Sequence, residues 1–72
     1  MKYNYDKLQG KIKEVFNTQD NFAKAIGCSV TSVNYKLNNK RKFTQDEISK
    51  SVVVLNLLPS DISIYFFNQK VE

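Results

Sequence analysis

Thr18 to Asn38 reads TQDNFAKAIGCSVTSVNYKLN, two short amphipathic patterns separated by Gly27-Cys28-Ser29. Thr18 and Ser29 can each cap a helix by accepting a bond from an orphan N–H, and Gly27 can take the left-handed conformation that closes the first helix. Phe22, Ala23 and Ile26 make one apolar face, and Val33 and Leu37 make another. Ala23 is small enough for the second helix to cross close to the first. The spacing predicts a helix-turn-helix, a unit that holds its second helix out toward a groove in DNA.

The flanks supply the rest of a small bundle. Asp6 and Gln9 have capping-box spacing, and Leu8, Ile12, Val15 and Phe16 follow at helical intervals, giving a first helix over residues 6–16. Gly10 costs it about 1 kcal/mol against alanine, so either the helix tolerates the glycine or another backbone packs closely there. The motif contributes helices over 18–26 and 29–38, after which Asn39 can supply a left-handed residue. Thr44 and Glu47 form a second capping box, opening a helix with Ile48, Val52 and Leu55 on one stripe. By propensity Val52-Val53-Val54-Leu55 suits a buried strand, but the box before it and Leu58-Pro59 after it frame a helix. Ser60 is placed to cap a last short helix through Ile62 and Phe66, and residues 67–72 read as extended or loosely held. The expectation is an all-α, five-helix bundle in one domain, its core built from Leu8, Ile12, Val15, Phe22, Ala23, Ile26, Val33, Leu37, Ile48, Val52 and Leu55.

Tyr65, Phe66 and Phe67 exceed what so small a core can cover. Either Phe66 seals the core and Phe67 is an ordinary exposed residue, or the three form an interface for a second copy or another protein. A homodimer is one expectation, since small helical DNA readers often work in pairs.

At 72 residues there is room for one domain, near the lower size at which a core folds without disulfides or metal. The lone cysteine, Cys28, can form no internal bridge, and neither a signal peptide nor a membrane-spanning run is evident, so a reducing cytoplasm is expected. Eleven Lys and Arg against seven Asp and Glu give a net charge of +4, with a pI near 9.3, favouring a polyanionic partner. Between Ser29 and Phe43 the chain carries Lys36, Lys40, Arg41 and Lys42 and no acid, which places the positive field around the second motif helix.

Enzyme chemistry is not expected. The chain has no histidine to act as a general base or to activate Cys28, whose place in the turn suits packing. No metal-ligand set or Gly-rich phosphate loop is present either, so no cofactor is expected. A DNA reader needs only donors and cations for phosphates and short side chains for base edges. Thr18, Gln19, Asn38, Lys40 and Lys42 are placed for phosphate, while Val30, Thr31, Ser32, Asn34 and Tyr35 face outward from the second motif helix. Asn34 reads better as a solvent-facing residue. Thr31 and Tyr35, four apart, share one stripe.

The pattern T-Q-x-x-F-A-x-x-x-G-x-S-x-x-x-V, carried by Thr18, Gln19, Phe22, Ala23, Gly27, Ser29 and Val33, resembles the helix-turn-helix of phage Cro and CI repressors. The opening KYNYDKLQGKI, the run Lys36-Leu37-Asn38-Asn39-Lys40 and the closing Tyr65-Phe66-Phe67-Asn68-Gln69-Lys70 extend the likeness. They are similar to the small switch proteins of temperate phages of Gram-positive bacteria, in particular the modulator-of-repression group. The resemblance implies a lambda-repressor-like domain, with Gln19 and Asn38 on phosphates and Val30, Thr31 and Tyr35 on bases. Many such proteins carry glutamines at the first two reading positions, where an amide pairs bidentately with adenine. Val30 and Thr31 stand there instead, and each lost bidentate pair removes about 1–3 kcal/mol of base discrimination.

Two functions follow from the resemblance. The first is a regulator of lysis versus lysogeny that binds operator DNA through its third helix, alone or with the phage CI repressor. The second is an anti-repressor that binds the repressor's DNA-binding domain, for which Val30 and Tyr35 on the third helix and the aromatic residues 65–67 offer a protein interface.

Overall fold

Polar side chains cap the starts of three helices and left-handed residues follow the ends of four, in a chain of α1 (Asp6–Phe16), α2 (Gln19–Ile26), α3 (Val30–Leu37), α4 (Gln45–Val54) and α5 (Ile62–Phe66). A 3-10 turn at Pro59–Asp61 leads into α5. The computed structural model describes residues 2–70. The all-α, five-helix expectation holds. The extended pairing among the described residues is an isolated antiparallel bridge between Tyr3 and Gln69.

Three helix starts match the sequence reading. Thr18 Oγ1 accepts the Asn21 N–H at 3.1 Å and Ser29 Oγ accepts the Ser32 N–H at 3.1 Å. At α4 the box is reciprocal: Thr44 Oγ1 accepts the Glu47 N–H at 3.2 Å, and Glu47 Oε1 accepts the Thr44 N–H at 2.8 Å. Two starts differ. Asp6 does not open a capping box, because the buried Tyr5 takes the N-cap position and Asn4 Oδ1 accepts the Asp6 N–H at 2.8 Å. Asp6 instead lies in the first turn, where its charge suits the helix dipole. Nor does Ser60 cap α5. Pro59 nucleates the 3-10 turn, and Asp61 Oδ2 accepts the Leu58 N–H at 3.0 Å.

Asn17, Gly27, Asn39 and Asn56 have φ of 68°, 75°, 62° and 56°. The last three build the same stop. Cys28 N–H reaches back to Ala23 O, Lys40 N–H to Tyr35 O and Leu57 N–H to Val52 O, at 2.9, 2.8 and 2.9 Å. Asparagine tolerates a left-handed backbone better than other residues with a Cβ.

α2 lies at the centre, packed on α1, α3 and α4, while α5 packs on α1 and α4. Leu8, Ile12, Phe22, Ala23, Ile26, Val33, Leu37 and Leu55 are buried as expected, joined by Tyr5, Leu57 and Phe66. Val15 does not belong to the core: Phe16 turns inward beside it, 5.8 Å from the Phe22 ring, and leaves Val15 exposed on the flank of α1. Ile48 and Val52 are half-buried against the core rather than inside it. The fully buried residue of α4 is Ser51, small enough for close packing, whose hydroxyl donates to Glu47 O at 2.7 Å. Val53 is 77 % exposed, so the valine run is one turn of a surface helix. No neighbouring atom lies within 4 Å of a Cβ built on Gly10, so α1 simply tolerates that glycine.

The tail is held in part. Lys70 N–H donates to Lys2 O at 3.0 Å and Asn4 N–H to Asn68 O at 2.6 Å, so residues 68–70 are extended and paired. Residues 71 and 72, the end of the segment read as loosely held, lie outside the described residues.

Candidate interaction surface

α3 divides cleanly between core and surface. Val33, Lys36 and Leu37 are buried, while Val30, Thr31, Asn34, Tyr35 and Asn38 are exposed on the other side. Val30 is 40 % and Tyr35 37 % exposed, so both present apolar area on this face. Ser32 is half-buried beside the cap, with its N–H bonded to Ser29, which leaves Thr31 as the exposed hydroxyl of the first turn.

Beyond α3 the chain folds its cations back over this face. Lys40 Nζ lies 5.6 Å and Arg41 Cζ 5.4 Å from the centre of the Tyr35 ring, within cation–π range. Lys42 is exposed next to them. Asn38 Nδ2 donates to Asn34 O at 2.8 Å, so one N–H of that amide serves its own helix, while its oxygen and second N–H can face a partner.

By sequence Lys36 belongs to this positive field, and the structure removes it. Lys36 is 6 % exposed and its ammonium pairs with Glu47 Oε2. The acid absent between Ser29 and Phe43 arrives from α4. Cys28 Sγ donates to the same oxygen at 3.2 Å, and Glu47 Oε1 remains on the Thr44 N–H. Burial would raise the Glu47 carboxyl, but the Lys36 ammonium, the Thr44 N–H and the Cys28 thiol outweigh it and hold the group at about 2. The Cys28 thiol moves the other way, raised by burial and then by the adjacent carboxylate, and this argues against a reactive thiolate. Sequence reasoning counted Arg41 in the basic cluster but not among the contact residues, and it missed the pairing of Glu47 beneath this surface. Glu47 was visible as a capping residue, but one oxygen accounted for it fully.

Thr18 and Gln19 open α2 beside α1, in a cleft of about 230 Å³ lined also by Gln9, Ile12, Lys13 and Asn17. Thr18 Oγ1 accepts the cap bond and keeps its proton to donate, with Lys13 as a cation in the same cleft. The aromatic run does not form one patch. Phe66 is 2 % exposed, edge-on to Phe43 at 5.3 Å, so its place among the interface candidates is corrected: it is core. Tyr65 is half-buried, and Phe67 is exposed with its ring edge-on to Tyr3 at 5.9 Å. Among the described residues no cluster of three or more His, Cys, Asp or Glu could hold a metal ion, and no helix is long and apolar enough to cross a membrane.

Comparison with known proteins agrees with this architecture. No curated protein matches the chain. A solved structure does, the solution structure of the modulator of repression (MOR) of the temperate bacteriophage TP901-1 from Lactococcus lactis. The two share 53% identity with a TM-score of 0.80, over 100% of this chain and 97% of the other. A family model described as "Protein of unknown function (DUF739)" matches residues 1–69. With near-complete coverage by the family model and a full-length relative of known structure, the chain belongs to the DUF739 family and groups with the phage modulators of repression.

Proposed function

We propose that this chain is a regulator of a phage lysis–lysogeny switch, working in the host cytoplasm, that modulates repression by binding a CI-type repressor through the outward face of α3. The observation that carries this reading is the chemistry of that face. Val30 and Tyr35 offer apolar and aromatic area, Thr31 a single hydroxyl, and Lys40, Arg41 and Lys42 a charged rim. Such a centre and rim suit a protein partner, for which a rigid tyrosine is a favoured anchor. Val30 and Thr31, at the first two reading positions, have no amide with which to pair with adenine. The 53 % identical modulator of repression supports a repressor as the target.

One observation favours a second reading, operator DNA. The three cations form no ion pair among the described residues, and Thr18 and Gln19 open α2 beside Lys13, in positions suited to phosphate. A gel shift on the phage promoter region separates the two, run with this chain, with the repressor, and with both. Repressor binding predicts no shift from the chain alone and a changed repressor shift when both are present. It also predicts co-elution of the two proteins without DNA, lost with Tyr35→Ala. A shift from the chain alone, abolished by Thr31→Asp, would establish the DNA reading instead. Absence of both co-elution and any shift would refute the proposal.

A further inference from the structure

We propose that residues 2–4 and 68–70 form a clasp that positions the basic loop after α3, with Asn39 as the positioning residue. In an extended strand, the N–H and C=O of one residue point to one side and those of its neighbours to the other. Residues 2–4 use both sides. Lys2 O and Asn4 N–H turn to Lys70 N–H and Asn68 O, at 3.0 and 2.6 Å. Tyr3 turns the opposite way: its N–H donates to Asn39 Oδ1 at 2.8 Å and its C=O accepts from Asn39 Nδ2 at 3.0 Å. The primary amide of Asn39 therefore stands in for the peptide group of a third strand.

Asn39 is the left-handed residue that ends α3, a position where glycine would be the least strained choice. What asparagine adds is this side-chain clasp. The loop's other end is held separately, by the buried residues that lead into those segments, since the Phe43 ring lies edge-on to Tyr5 at 5.5 Å and to Phe66 at 5.3 Å. Between these anchors, Lys40, Arg41 and Lys42 are all exposed. Lys40 has a separate tether, its N–H on Tyr35 O, whereas the placement of Arg41 over the Tyr35 ring depends on the anchors. That the loop meets a partner rests on the function proposed above; that the clasp positions it does not.

The test is Asn39→Gly, which keeps the left-handed backbone and removes the amide, studied by NMR in the free chain. The Tyr3 amide is expected to exchange about tenfold faster than in wild type, with the core Leu55 amide unchanged. The upfield shift that the Tyr35 ring gives to the Arg41 side-chain protons is expected to collapse, while that of Lys40 survives as the internal control. Asn39→Asp is the second variant, for the case that the glycine chain is poorly folded. It keeps an acceptor for the Tyr3 N–H and loses the donor to its C=O, so a smaller change in the same direction is expected. Unchanged Tyr3 exchange in the folded variant would overturn the clasp. Faster Tyr3 exchange with the Arg41 shift intact would overturn its positioning role. These readouts need no partner, so a failure of repressor binding refutes the function above without touching this result.

Discussion

Glu47→Gln tests whether the ion pair beneath α3 is buried in the energetic sense. The substituted amide would keep an oxygen for the Thr44 N–H but leave the Lys36 ammonium, 6 % exposed, without its counter-charge. Breaking a buried pair from one side costs about 3–5 kcal/mol, because the remaining charge is desolvated and unpaired. The low carboxyl, to which the Thr44 N–H and the Cys28 thiol also contribute, has the same sign and order of magnitude. Held at about 2 instead of 4.5, its proton is bound more weakly in the folded chain by on the order of 3 kcal/mol. A loss of about 3 kcal/mol corresponds to a fall in melting temperature of at least ~12 °C for a domain of this size. The sign fixes the pH window. A carboxyl lowered on folding stabilises the native state above its ordinary value near 4.5, and that stability drains away as pH falls toward 2. The stability gap between wild type and Glu47→Gln is thus full at pH 7 and shrinks below pH 4.5. Adding Lys36→Met to Glu47→Gln removes the unpaired ammonium as well and should recover most of the loss, since the cost of breaking a buried pair lies in the charge left behind. Urea denaturation of wild type, Glu47→Gln, Lys36→Met and the double variant supplies the cycle. A Glu47→Gln cost under about 0.5 kcal/mol at pH 7 would refute the reasoning, as it would place the pair in the range of solvated surface bridges.

Gly10→Ala should stabilise the chain by about 0.5–1 kcal/mol, because the new methyl meets no atom within 4 Å and α1 gains a better helix former; a melting curve measures it. Phe66→Ala should cost about 3–5 kcal/mol by opening the core. Phe67→Ser, on a ring 49 % exposed, should cost no more than about 1 kcal/mol, and comparable losses for the two by denaturation would contradict their assigned burial. If DNA is the partner, Lys40→Ala should weaken binding to all sequences alike and reduce the salt slope by about one; titrations at several salt concentrations read both.

Local signals carried most of the fold. The caps at Thr18, Ser29 and Thr44 and the stop at Gly27 depend on residues within four positions of each other, so spacing alone revealed them. Asn17 and Asn56 were less visible, since asparagine is common in loops and its left-handed backbone shows only once the chain has turned. Long-range choices were hidden. Phe16 and Val15 compete for one side of α1, and Phe22, six positions beyond Phe16, decides between them. The outward face of α3 was legible from helical periodicity, but Lys36 carries the same charge as Lys40, and only the fold buries the one and exposes the other. Arg41 joins the surface through a tertiary contact with Tyr35 that no spacing rule contains.

The pairing of Tyr3 with Gln69 bears on how the chain is made. The core needs Tyr5 and Phe66 together, and the bridge needs residue 69, so closure cannot be completed while the last quarter of this sequence is still on the ribosome. α1 to α3 can assemble early from contacts near in sequence, but they wait for their seal. A truncated product lacking the residues from Phe66 onward would therefore expose the aromatic rings that Phe66 covers, leaving it open to proteolysis.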